Sequence, residues 1–414
     1  MDVFTYKNGE LFVEGVAVRG LAEAYGTPLY IYSKTHLQTQ FRRLAAAMQR
    51  VKPLICFAIK ANSNGAVIRT LLDEGAGLDI VSGGELFRAL RAGADPARIV
   101  FAGVGKTADE IRYALRTGIL CFTVESEPEA RRISACAVEM GTTARIAFRI
   151  NPDVEAHTHK YISTGKKENK FGIDAGRTLE AYALAAALPN IEIAGLHMHI
   201  GSQILTAQPF HDAAAKIREL CLRLKALYPT FRYWDIGGGI GIRYKPEDQA
   251  LDPVAYAERV VPLLEGLGLQ IVMEPGRYLC GNAGVLVTRV QYVKDNPSKK
   301  FIIIDAAMSD LIRPALYQAY HEIRAVAQTA ATVHADLVGP ICESGDFLAA
   351  DRDLPAVGEG DLLAVMSAGA YGFAMASTYN SRPLVAEVMV EGDRAWVVGR
   401  REGWEDLVRR EVGL

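Results

Sequence analysis

Leu54-Ile55-Cys56-Phe57-Ala58-Ile59-Lys60 is apolar for six residues and then ends on a charge. Seven further runs of similar texture follow it: Gly77–Ser82, Ile99–Gly103, Cys121–Glu125, Arg145–Ile150, Ile193–Ile200, Tyr233–Ile236 and Gln270–Glu274. Runs that stay apolar instead of alternating suit parallel strands buried on both faces. Between most of them lies a stretch of helical composition, such as Glu85–Ala92, Ala108–Arg116 or Glu127–Met140. Eight strand–helix units in roughly 220 residues is the arithmetic of a (β/α)8 TIM-like barrel, with a doubly wound open sheet as the structural competitor.

After Gly281 the texture changes. Val285–Val293, Phe301–Ile304, Asp361–Met366 and Leu384–Glu391 read as strands separated by turn signals, which predicts a second, mainly β domain. Phe12-Val13 and Leu29–Tyr32 are also strand-like and are expected to join its sheet. The expected division is therefore 34–281 for the barrel and 1–33 plus 282–414 for the β domain. The polar segment Asn151–Gly172 reads as a long loop after the fifth strand, a lid or specificity loop.

Composition excludes several classes. A formal charge of −2 argues against a nucleic-acid protein, which needs a basic face for phosphates. There is no basic-then-apolar leader after Met1 and no apolar run of bilayer-spanning length, so the chain reads as cytoplasmic with no membrane partner. Its six cysteines show no metal or redox spacing, and the default for each is a small buried hydrophobe.

In a barrel, the side chains at the C-terminal strand ends converge on one mouth. Here those ends carry Lys60, Asp79 to Ser82, His197-Met198-His199, Gly237-Gly238-Gly239 and Glu274-Pro275-Gly276-Arg277. A lysine at a strand end ordinarily snorkels to water; in a partly dry mouth its amine becomes a nucleophile toward carbonyls. The glycine run lets backbone N–H groups approach a phosphate, or else makes a tight strand–helix turn. It is not a dinucleotide fingerprint, since the third glycine would fall on Ile242. Gly105-Lys106-Thr107 is likewise no P-loop, because Val100 stands where the first glycine is required. His197 and His199 share a strand face, but no third ligand joins them in sequence, so no metal is expected.

Phe57-Ala58-Ile59-Lys60-Ala61-Asn62, His199-Ile200-Gly201-Ser202-Gln203, Gly237-Gly238-Gly239 and Glu274-Pro275-Gly276-Arg277 resemble the motifs of the fold-type III pyridoxal-phosphate decarboxylases. Gly339–Asp346 and Gly369-Ala370-Tyr371-Gly372 extend the likeness into the second domain, and order and spacing agree over nearly the full length. The resemblance implies pyridoxal 5′-phosphate held covalently by Lys60, with Glu274 facing the pyridine nitrogen, His199 on the ring face and Asp79 near the lysine end. It implies a phosphate held by Ser202, Gly238, Gly239, the Pro275-Gly276-Arg277 turn and Tyr371. It also implies that Cys342 reprotonates the carbanion from a partner subunit, which makes a homodimer with shared active sites.

Charge then narrows the substrate. A diamino acid such as ornithine needs only an acid at its far end, whereas diaminopimelate carries a carboxylate there as well. Glu343 suits the ammonium; Arg277, Arg313 and Tyr317 suit the carboxylate, an arginine fork binding it bidentately. The segment Met308–Tyr317 is similar to that of the family's diaminopimelate-cleaving members, so the expected reaction is decarboxylation of meso-2,6-diaminopimelate to L-lysine. The loop Tyr161–Gly165 and Glu168–Gly172 resembles the same members, departing at Lys160 and Lys166. Open alternatives are a decarboxylase of another amino acid, free or tethered to a carrier protein, a racemase, and a non-catalytic pyridoxal-phosphate carrier. Racemases usually place an arginine where this chain has Glu274, and the carriers resemble the barrel alone.

Overall fold

A computed structural model describes residues 3–154 and 170–413. Lys160 and Lys166, and with them positions 155–169 of the expected loop Asn151–Gly172, lie outside the described residues. Contacts divide the chain into two compact units: Gln40–Ile242 with Gln249–Tyr278, and Met1–Thr39 with Arg243–Asp248 and Leu279–Leu414.

The first unit is a closed parallel barrel. Its strands are β1 Leu54–Ala58, β2 Gly77–Ile80, β3 Ile99–Phe101, β4 Cys121–Val124, β5 Ala144–Asn151, β6 Ile191–Met198, β7 Tyr233–Asp235 and β8 Gln270–Met273. Each pairs with the next, and β8 returns to β1 through Val272↔Leu54 and Met273↔Ile55. Cys56, Val100, Cys121, Ala147, Ala194 and Val272 come from six different strands yet pack in one cluster, so they fill the interior.

Several of the outer helices start on capping side chains: Asn64, Ser82, Ser126 and Asp252 each accept an N–H of the first turn. Thr107 does so too, in a reciprocal capping box with Glu110. That explains the P-loop look-alike. Lys106 is buried against Glu129 at 2.6 Å and against the carbonyls of Gly103 and Thr123, leaving no amine for a phosphate.

The second unit holds a nine-stranded mixed sheet. Its main path runs Phe347–Pro355, Thr332–Val338, Lys299–Ile304, Gly284–Asn296, Leu29–Ser33, Ala386–Glu391, Arg394–Gly399. Leu29–Ser33 lies between two strands that follow the barrel in sequence, as expected. Phe12-Val13 does not: Glu10–Val13 pairs with Phe4–Lys7 and Val16–Ala17 in a separate three-stranded sheet. Phe4, Leu11, Val13, Leu21, Leu29, Val285, Val287 and Val388 share the core that joins the two sheets.

Candidate active site

Two expected positions shift by a turn of chain. Lys60 does not close β1; it sits in the 3₁₀ turn Ile59–Ala61 just beyond it. Glu274 likewise follows β8, which ends at Met273. Both remain at the C-terminal end of the barrel, where a polar side chain can leave the sheet without breaking the ladder.

The Lys60 amine donates to Asp79 Oδ2 at 2.6 Å, with Asp79 fully buried at the end of β2. Burial and the charge of Glu274 push the Asp79 carboxyl upward, while the Lys60 ammonium pulls it back. Two steps around the barrel, His197 Nε2 lies 3.0 Å from Glu274 Oε2. Burial works to raise Glu274, but its hydrogen bond with His197 and the nearby Lys60 ammonium outweigh it and hold the carboxyl below its ordinary range. Asp235, at the end of β7, is driven the opposite way by burial and by Glu274. The two neighbouring acids are thus pushed in opposite directions.

His199 is kept neutral by burial and by Arg149. Its Nδ1 accepts the N–H of Gly238 at 3.2 Å, which leaves the remaining proton on Nε2. The glycines have a steric cause. A Cβ on Gly237 or Gly239 would come within 2.4 Å of the carbonyl of Met198 or Gly201, both residues also having positive φ. A Cβ on Gly238 would meet the Glu274 carbonyl at 2.1 Å. A strand–helix turn is not the reason, since the next helix begins only at Pro253. Beside them, buried Arg277 donates to Ser202 Oγ at 3.1 Å.

These residues fit pyridoxal phosphate. Glu274 Oε1 and Asp79 Oδ1 are buried with no hydrogen-bond partner among the described residues, a costly state for a carboxylate. A protonated pyridine N–H offers Glu274 the donor it lacks, and Arg277 with Ser202 suits a phosphate. His197, Asp235 and Glu274 are also the one grouping among the described residues with metal-donor spacing, their ligand atoms within 4.8 Å. His199, the partner weighed in sequence, is not in that group.

In the second unit, Arg313 and Tyr317 open and close the short helix Arg313–Tyr317, four apart and so on one side. Cys342 is the one exposed cysteine of the six. Its loop is shaped by Asp346, whose carboxylate accepts the N–H groups of Met308 and Ile341, each at 2.6 Å. The Cys342 N–H donates to Asn380, and the Tyr379 hydroxyl donates to Glu343 at 2.7 Å. Tyr371 takes a left-handed φ of 56° in a turn whose Gly369 and Gly372 admit no Cβ, with the Cys280 and Ala368 carbonyls at 2.0 and 2.4 Å.

Sequence reading missed Asp235 and gave His197 no role. The signal was present: an acid inside the run Tyr233–Ile236 has no place in a barrel core unless it is partnered.

Residues 34–281 match the family model described as "Pyridoxal-dependent decarboxylase, pyridoxal binding domain", and the chain belongs to that family of pyridoxal-dependent decarboxylases. Its full-length relatives place it on the diaminopimelate decarboxylase branch. The chain is 51% identical to the diaminopimelate decarboxylase of Pseudomonas aeruginosa over 99% of both proteins. It superposes on diaminopimelate decarboxylase of Helicobacter pylori complexed with L-lysine at TM-score 0.91 and 43% identity, covering 95% of this chain and 98% of that one. The enzyme of M. jannaschii in complex with L-lysine gives TM-score 0.94 at 34% identity, covering 100% and 98%.

Proposed function

We propose that the chain decarboxylates meso-2,6-diaminopimelate at its D-centre, giving L-lysine and CO2, the last step of lysine biosynthesis. The observation that carries this is buried Glu274, 3.0 Å from His197 Nε2, together with the Lys60–Asp79 pair, in a chain half identical from end to end to diaminopimelate decarboxylases. Residues 34–281 serve as the pyridoxal-binding domain, while 1–33 and 282–414 contribute Cys342, Glu343 and Tyr371.

Bound pyridoxal phosphate supplies an electron sink for the pair left on carbon when CO2 departs. Lys60 holds it, and Asp79 orients the lysine. Glu274, held by its hydrogen bond with His197, would keep a proton on the pyridine nitrogen. Neutral His199 would lie against the ring, and Ser202, Arg277, Tyr371 and the backbone of Gly238, Gly239 and Gly276 would take the phosphate. The Cα–carboxylate bond breaks, and the Cys342 thiol delivers the proton that replaces CO2. We further infer a cytoplasmic homodimer in which Cys342 and Glu343 act across the subunit boundary. Among the described residues no helix is long and apolar enough to cross a membrane.

Arg313, Arg277 and Tyr317 hold the distal carboxylate, and Glu343 the distal ammonium. Arg313→Met is therefore expected to raise KM for meso-diaminopimelate roughly 100-fold, the scale of a lost bidentate charge-assisted contact. Arg313→Lys should recover part of it, both read from L-lysine formation. An unchanged KM in Arg313→Met would remove Arg313 from the substrate pocket.

A further inference from the structure

His321 is fully buried in the β unit. Its Nε2 lies 2.8 Å from Arg313 Nη1, and its Nδ1 lies 2.7 Å from the carbonyl oxygen of Met366. A guanidinium can only donate and a carbonyl can only accept. Both contacts are hydrogen bonds only if the imidazole is neutral, with its proton on Nδ1 and its lone pair toward Arg313. An imidazolium would set N–H against N–H.

The rest of the surroundings hold this arrangement still. The guanidinium lies over the Tyr244 ring, 4.7 Å from its centroid, and the Tyr244 and His321 rings meet edge to face at 5.4 Å. Arg352 donates to the His321 carbonyl at 2.9 Å while stacking on Tyr320. The Met366 N–H donates to the Glu322 carbonyl, which fixes the acceptor. An imidazole lone pair and an aromatic face are thus two of the contacts that set the plane of the Arg313 fork. A fork binds a carboxylate bidentately only when that plane is right.

We propose that His321 is a positioning residue: as the Nδ1–H tautomer it orients Arg313 toward the carboxylate at the far end of the substrate, and so sets the preference for substrates that carry one. This rests on the reading of Arg313 as a substrate-binding residue.

The test uses the holoenzyme labelled with 15N-histidine, His321 being assigned by the signal lost in His321→Gln. The expected spectrum shows the neutral Nδ1–H tautomer through the neutral pH range, with an Nε2 shift that moves in Arg313→Met. His321→Leu should raise KM for meso-diaminopimelate roughly 10- to 100-fold with kcat within about threefold, as loss of an orienting bond to a charged group predicts. His321→Gln, which keeps an acceptor, should recover most of the KM. Inhibition by L-lysine, which retains the distal carboxylate, should weaken in His321→Leu, while inhibition by 1,5-diaminopentane should not. An Nε2–H or doubly protonated His321, an unchanged KM in His321→Leu, or equal weakening of both inhibitors would overturn the proposal. If the wild-type holoenzyme leaves diaminopimelate untouched, the functional reading fails and takes the specificity claim with it; the tautomer still decides the His321–Arg313 bond by itself.

Discussion

Lys60→Ala is expected to purify as a folded protein that shows no visible absorbance from covalently held cofactor and turns over at least about 10⁴-fold more slowly. That is the scale on which a positioned nucleophile outperforms one drawn from solution. Folding should survive because the Lys60 side chain is 40% exposed, whereas its partner Asp79 is fully buried. Without the ammonium, nothing offsets the burial and the Glu274 charge that already push Asp79 upward, so the carboxyl takes a proton and needs no cation. Circular dichroism superimposable on wild type, together with a lost absorbance band, is the expected pair of results. A retained band would mean that another amine holds the cofactor.

Cys342→Ala should separate cofactor binding from proton delivery. The absorbance of the held cofactor is expected to be unchanged, while kcat falls roughly 10²- to 10⁴-fold, the usual contribution of a positioned acid. Cys342→Ser should lie nearer the alanine variant, since a hydroxyl is a far weaker acid than a thiol. Five of the six cysteines are buried, and burial pushes the thiols of Cys56, Cys121 and Cys221 upward, the last to about 12. Cys342 alone among the six is exposed. Turnover of Cys342→Ala within about threefold of wild type would assign the proton to another group.

The barrel was legible because strands buried on both faces leave a continuous apolar run, and several of the runs here carry at or near their C-terminal end a residue that such a core would reject. Lys60, Asp79, His199 and Glu274 all stand at the C-terminal strand ends for that reason. The β unit was harder to read. Thr332–Val338, paired on both sides, and Phe347–Pro355, at the sheet's edge, carry polar and charged residues such as His334, Asp336, Asp351, Arg352 and Asp353, so neither shows a clean apolar face. Phe12-Val13 has the composition of a strand, but composition does not say which sheet it joins, and its partners are its own neighbours in sequence. Asp235 and His321 were hidden for a different cause. A buried acid or imidazole acts through the group it touches, and Glu274 and Arg313 are 39 and 8 positions away, respectively. Only the fold reveals those contacts.

The measurement closest to the central claim is CO2 release by the purified holoenzyme offered meso-diaminopimelate, ornithine, lysine and arginine in parallel. Release from meso-diaminopimelate alone, with L-lysine as the product, is the predicted result. Release from ornithine, lysine or arginine instead would keep the barrel chemistry and contradict the carboxylate pocket; no release from any of the four would contradict decarboxylation of a free amino acid.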